Sequence, residues 1–386
     1  MTKFKIIKIG EGGGNNAKPQ VSGKKVVWNS KDGNKYRILL YDGDKVSEIN
    51  SSNVTTNSTP LISGDHVVWS ARDANNYTQI FLHNGQQTTQ LTNHNDISDF
   101  FPQISGNNIV WSVQTEDSAE IFFYNGQKTI QLTKDDVYDM FPQISGSNVV
   151  WNKHTDNGAE IFLYDGVKTA RLTNSKKEDL YPQIFGENVI WQHGIYNDKE
   201  KNIFFYNGKN SETIRLADAY NSTSNIHLRA SGNNIVWEVV NSERDGGIFL
   251  NNGKEIIKLI DNHNLHFSPE ISGDYVVWAA GFGDTEEEYY SSSEIFLYDG
   301  KEVIQLTDNN VADIEPAIDG NRVVWHQSGD YDSGNYVANI MLATINDTKS
   351  SLIQPIDRTS QIINASAVAI FGLIFVYLCK KLIANS

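Results

Sequence analysis

Cysteine is all but missing: Cys379 is the only one in 386 residues. A disulfide within the chain is excluded, and so are a cysteine zinc site and a thiol nucleophile anywhere before it. Positive charge is also short. Lys and Arg number 32 against 47 Asp and Glu, for a formal net charge of −15. Such a surface repels a phosphate backbone, so no nucleic acid partner is expected. The excess of acid reads as solubility. The amino terminus has no apolar stretch of signal-peptide length, since Lys5 and Lys8 interrupt it. Gly12-Gly13-Gly14 follows a strand-like run but opens no helix, so there is no phosphate loop, and there is no nucleophile elbow. No cofactor and no metal are expected.

What is present is repetition. The stretch Phe101-Pro102-Gln103-Ile104-Ser105-Gly106-Asn107-Asn108-Ile109-Val110-Trp111 returns, lightly edited, eight times. Trp28, Trp69, Trp111, Trp151, Trp191, Trp237, Trp278 and Trp325 mark it, at spacings of 41, 42, 40, 40, 46, 41 and 47. A period near forty made of short apolar runs and Gly turns is the signature of a propeller blade. In the third unit Pro102–Ser105 reads as strand A, Ile109–Ser112 as B, Glu120–Tyr124 as C and Lys128–Thr133 as D. Ser105-Gly106 and the Asn125-Gly126 hairpin pair supply tight turns. Apolar runs such as Ile161-Phe162-Leu163-Tyr164 suit sheets covered on both faces. The eighth unit has no strand D, while Phe4–Ile9 is a D-like strand with no unit of its own. The expected fold is therefore all-β. It is an eight-bladed β-propeller of four-stranded antiparallel blades over residues 1–345, closed by the amino-terminal strand on the last blade.

The pattern Gln-Leu-Thr, Asp-x-x-Pro-x-Ile-Ser-Gly-x-x-Val-Val-Trp, Glu-Ile-Phe-Leu-Tyr-Asp-Gly resembles TolB-type and WD-like propeller repeats, above all those of bacterial and archaeal cell-surface proteins. The resemblance covers nearly everything before residue 345. It implies a propeller and assigns no catalytic residue. TolB has fewer blades, so its import role is not implied.

Residues 346–359 read as a polar linker. Ser360–Cys379 then runs for 20 residues without a charge, ahead of Lys380-Lys381. A run of that length spans a bilayer as one helix, so 360–380 is expected to be a transmembrane helix and 381–386 a short basic tail. The lysines favour that tail in the cytoplasm and the propeller on the extracytoplasmic side, the expected orientation, while the lack of a signal peptide favours the alternative, a tail-anchored protein with the propeller inside.

In such a meander the D-to-A and B-to-C connections share one face, and the longest of them are 192–201, 218–227, 279–293 and 326–335. That face is the expected binding surface for a protein or glycan, presented by a monomer. Its candidate binding residues are His154, His193, His326, Asp284, Asp330 and Asp332. The alternative is a polysaccharide lyase or hydrolase built on the three histidines. Asp330–Asn335 resembles the start of a calcium loop but has Gly334 where a ligand belongs and no distal Glu. The recurrent Asp99, Asp139, Asp179 and Asp313 read as turn caps that accept backbone N–H groups. The tryptophans read as packing between blades.

Overall fold

The computed structural model of the chain describes residues 4–13, 17–32, 35–50, 56–73, 75–94, 97–194, 201–218, 227–239, 247–260, 266–281, 292–328, 331–332 and 335–346. The expected transmembrane helix lies outside them. No helix among the described residues is long and apolar enough to cross a membrane. The sheets form an eight-bladed β-propeller. Blade 4 shows the unit: strand A is Asp139–Ser145, B is Asn148–Thr155, C is Gly158–Tyr164 and D is Thr169–Arg171, paired in that order.

Strand A begins earlier than the proline suggests, at the Asp three residues before it. The reason is a bulge. Pairing skips between Met140 and Gln143, and Phe141 sits at φ 55° ahead of Pro142. The same interruption and left-handed residue recur at Phe101, Tyr181, Ser268 and Glu315. A bulge of this kind re-aims side chains and adds twist without ending the ladder. The hairpin turns differ from the simple Asn-Gly expectation. The central pair is Gly126-Gln127, with Gly126 at φ 85°, and Asn125 Oδ1 accepts the N–H groups of Gln127 and Lys128 at 3.1 and 3.0 Å. Asp42, Asn84, Asp165, Asn252 and Asp299 accept in the same way. Asn207-Gly208 does not follow this pattern: Asn207 pairs with Glu212 across a longer turn.

The core lies between blades. In each pair, the Trp of one blade and a strand-A Ile, Leu or Val pack against strands B and C of the blade before. Trp151, Val149 and Ile144 meet Val110, Ile121 and Phe123, for instance. All eight tryptophans are at most 2% exposed. Six of them also stack on the facing Phe of strand C at 5.7–6.1 Å, as Trp151 does on Phe162. The Ser of the A-to-B turn has a role that no single repeat reveals. Its hydroxyl accepts the N–H of the equivalent Gly in the next blade: Ser63 from Gly106 at 2.9 Å, Ser105 from Gly146 at 2.8 Å and Ser145 from Gly186 at 2.7 Å. Ser22, Ser231 and Ser272 continue the series. Asp319 takes the Ser position in blade 8 and accepts from Gly23 of blade 1, which joins the ring's end to its beginning. Phe185 stands in the Ser position of blade 5, and no such bond links blades 5 and 6.

The first strand, Phe4–Gly13, completes blade 8 by pairing antiparallel with its strand C, Asn335–Ile345. The register runs from Phe4 opposite Ile345 to Gly13 opposite Val337. Blade 1 also grips this strand: Trp28 Nε1 donates to the Glu11 carbonyl at 3.1 Å, and a Cβ built on Gly10 would lie 2.6 Å from the Trp28 ring. Gly10 is thus required by close approach. Gly10→Val is expected to destabilise the protein by about 1–3 kcal/mol through overpacking, read as a lowered denaturant midpoint with an unchanged slope.

Candidate functional site

The loop-bearing face is organised by polar nodes between blades. At the junction of blades 3 and 4, Thr133 Oγ1 accepts the Ile121 N–H at 2.9 Å and donates to Glu120 at 2.6 Å. Glu120 then accepts the Asp135 N–H at 3.0 Å, which ties down the loop leading to the next blade. Thr173 with Glu160, and Thr307 with Glu294, repeat the arrangement. Gln79 replaces the Glu in blade 2. This explains why Gln-Leu-Thr and Glu-Ile-Phe travel together in the sequence.

The recurrent Asp is structural, but not as a turn cap. Its carboxylate accepts the indole N–H of its own blade's Trp: Asp99 from Trp111 at 3.1 Å, Asp139 from Trp151 at 2.7 Å, Asp179 from Trp191 at 2.9 Å and Asp313 from Trp325 at 2.7 Å. Burial pushes Asp99 and Asp139 up to about 6 against their hydrogen bonds and nearby cations. Folding therefore raises these groups above the ordinary carboxylate value of 3.8. Between the two values the native state holds more protons than the unfolded chain, so this share of stability is complete below pH about 4 and lost as pH rises through about 6. Asp99→Asn keeps an acceptor for Trp111. It is expected to flatten the fall in stability between pH 4 and 6.5 by on the order of 2 kcal/mol, measured by denaturant unfolding across that range. An unchanged slope would remove Asp99 as the source.

Glu120, Asp135 and Asp139 bring three carboxylates close enough to share an ion, the one such group among the described residues. The cationic place is already taken by Lys153, whose Nζ donates to Asp135 and to Asp139 at 3.0 Å. Burial works against the Lys153 charge, but the two carboxylates prevail and raise its pKa. The node therefore carries its own counter-ion.

The three histidines occupy three different registers of strand B. His326 is one residue past its Trp, His193 two and His154 three. His326 is buried, with Nδ1 3.9 Å from Glu315 Oε2. His193 Nδ1 lies 2.8 Å from Asp179 Oδ1, and its ring meets Phe204 edge-on at 5.4 Å. At the matching place in other blades Lys153 serves Asp139 and Gln327 serves Asp313, each at 3.0 Å. His154 is exposed, with its N–H bonded to the Tyr138 carbonyl. The structure links each histidine to its surroundings separately and joins no two of them. Asp284 and Asp330 lie outside the described residues. Asp332 is described only as backbone, in a two-residue strand opposite Asn335.

Sequence reading missed the concave part of this face. Between blades 2 and 3 the B-to-C loops and the start of strand A border a shallow, open hollow of about 530 Å³ lined by Tyr77, Ile97, Ser98, Phe100, Gln114, Thr115 and Glu116. Phe100 begins a line of aromatic contacts across three blades. Phe100 to Phe101 is 6.1 Å, Phe101 to Phe141 5.1 Å and Phe141 to Tyr181 6.4 Å between ring centres. The bulge residues Phe101, Phe141 and Tyr181 supply this line.

No protein-family profile matches the chain, and no curated protein matches it. Solved structures do. The β-propeller domain of the Trilobed protease from Pyrococcus furiosus aligns with a TM-score of 0.50 at 10% identity, over 80% of this chain and all of that one. That domain is described as having an open velcro topology, whereas here the first strand pairs in the last blade. The acylaminoacyl peptidase of Pyrococcus horikoshii aligns with a TM-score of 0.52 at 14% identity, over 83% of this chain. This chain spans 58% of that peptidase and 36% of the tricorn protease. TolB from Acinetobacter baumannii is also among the similar structures, at 16% identity and a TM-score of 0.40 over 75% of this chain and 81% of TolB. At such identities the likeness is one of fold: the chain is a β-propeller, as the peptidase propeller domains are.

Proposed function

We propose that this chain is a non-catalytic binding propeller that presents its loop-bearing face to a protein or glycan and is held to a membrane by residues 360–380, with the propeller on the extracytoplasmic side. One observation carries the reading: the mixed aromatic and polar hollow on the loop-bearing face, beside the node in which Gln79 accepts from Thr92 and the His94 N–H. A rigid frame under short loops lowers the entropy cost of binding. The node carboxylates and His193 are engaged in holding tryptophans and loops, which favours a scaffold over a catalyst. The uncharged run of 20 residues before Lys380 supports the anchor.

Two measurements test this. Full-length protein should enter the soluble fraction only with detergent; recovery without it would remove the anchor. Detergent-solubilised full-length protein should retain a partner that is lost when Gln114 and Glu116 are both replaced by Ala, and retained when Ile256 on the opposite face is. The reverse pattern would move the binding surface to the tight-turn face.

A further inference from the structure

We infer that the hollow between blades 2 and 3 is a saccharide site, made for a neutral sugar ring. The inference rests on the proposed binding role and names its ligand class. Two features of the hollow point the same way. Its two aromatic side chains, Tyr77 and Phe100, are half-buried and come from different blades. A pyranose offers an apolar C–H face that suits an aromatic wall. Its hydroxyls are both donors and acceptors, and the amide of Gln114 and the carboxylate of Glu116 answer both needs.

Charge narrows the class. No Lys or Arg lines the hollow, and Glu116 with the adjacent exposed Asp117 gives it negative potential. A sulfated sugar, a uronic acid or a phosphate would enter with no counter-charge. One apolar aliphatic residue, Ile97, is too little to seat the hydrophobic anchor that a protein partner would bring.

The experiment uses the full-length protein in an amine-oxide detergent, because a maltoside would compete. Cellohexaose, chitohexaose and maltohexaose are the neutral probes and hexagalacturonate is the acidic one, followed by saturation-transfer NMR and calorimetry. At least one neutral hexasaccharide is expected to bind, and hexagalacturonate is not. Tyr77→Ala is expected to weaken binding about tenfold. Gln114→Ala, a substitution at the strand end that spares the core, should weaken it as well. Ile256→Ala on the opposite face should change nothing. Failure of all three neutral probes, equal binding of the acidic probe, or an affinity unmoved by both Tyr77→Ala and Gln114→Ala would each overturn the inference. Retention of a protein partner on the loop-bearing face with no saccharide binding would overturn it too, while leaving the proposed binding role intact.

Discussion

Deleting residues 1–13 is expected to cost the propeller most of its stability. The strand Phe4–Gly13 supplies the outer edge of blade 8, and its loss strips strand C of its ladder from Met341 to Ile345 and from Val337 to Ile340. Phe4 and Ile6 pack on the cluster that includes Trp325 and Ala343, and Glu11 is the acceptor for Trp28 of blade 1. Two neighbouring interblade cores therefore open together. A net stability of about 5–15 kcal/mol is typical for a domain, and losing a whole strand together with a seam consumes on the order of 5 kcal/mol or more of it. The expected observation is a Tm lower by more than about 10 °C, taking about 2–4 °C per kcal/mol for a large domain. Exposed strand edges should also make the variant aggregate. A truncated protein that melts like the intact one would show that the first strand contributes no closure.

The second large effect separates the two roles of a blade tryptophan. Trp151 is buried between blades 3 and 4, stacks on Phe162 and donates to Asp139. Trp151→Ala should cost about 3–5 kcal/mol as a cavity. Trp151→Phe keeps a ring but orphans a buried acceptor, for about 1–3 kcal/mol. At Trp69 the comparison changes: among the described residues no acceptor reaches its Nε1. Trp69→Phe should therefore cost less than Trp151→Phe by about 1 kcal/mol or more. Equal losses at the two sites, by denaturant unfolding, would mean that the Trp–Asp bond adds nothing beyond packing.

The architecture was legible because eight tryptophans and their Gly turns repeat at one period, and because an orphan strand at one end matched a missing strand at the other. Strand limits and turn register were less legible. The bulge at Phe141 lies inside strand A and pushes its start back to Asp139, which a proline-based boundary hides. The chemistry of the repeats was read at the wrong partner. Asp139 holds an indole twelve residues on rather than its own turn, and Ser105 holds a glycine of the next blade, contacts that exist only after the ring closes. The histidines shared a face in sequence, yet they stand one, two and three residues past the Trp on strands of three different blades, so His326, His193 and His154 go to separate surroundings. The hollow had no sequence mark at all. Tyr77 and Phe100 are separated by two strands and a blade boundary, and no spacing rule joins them.

Closure itself can be measured directly. Lys5 lies opposite Thr344 in the ladder between the first strand and blade 8, and side chains paired this way put their Cβ atoms about 4.5–5.5 Å apart. The variant Lys5→Cys/Thr344→Cys, made with Cys379→Ser, should form an internal disulfide under mild oxidation. It would then run faster on a non-reducing gel as a monomer and melt at a higher temperature than its reduced form. Free thiols after oxidation, or dimers in place of the internal bond, would contradict a ring closed by its own first strand.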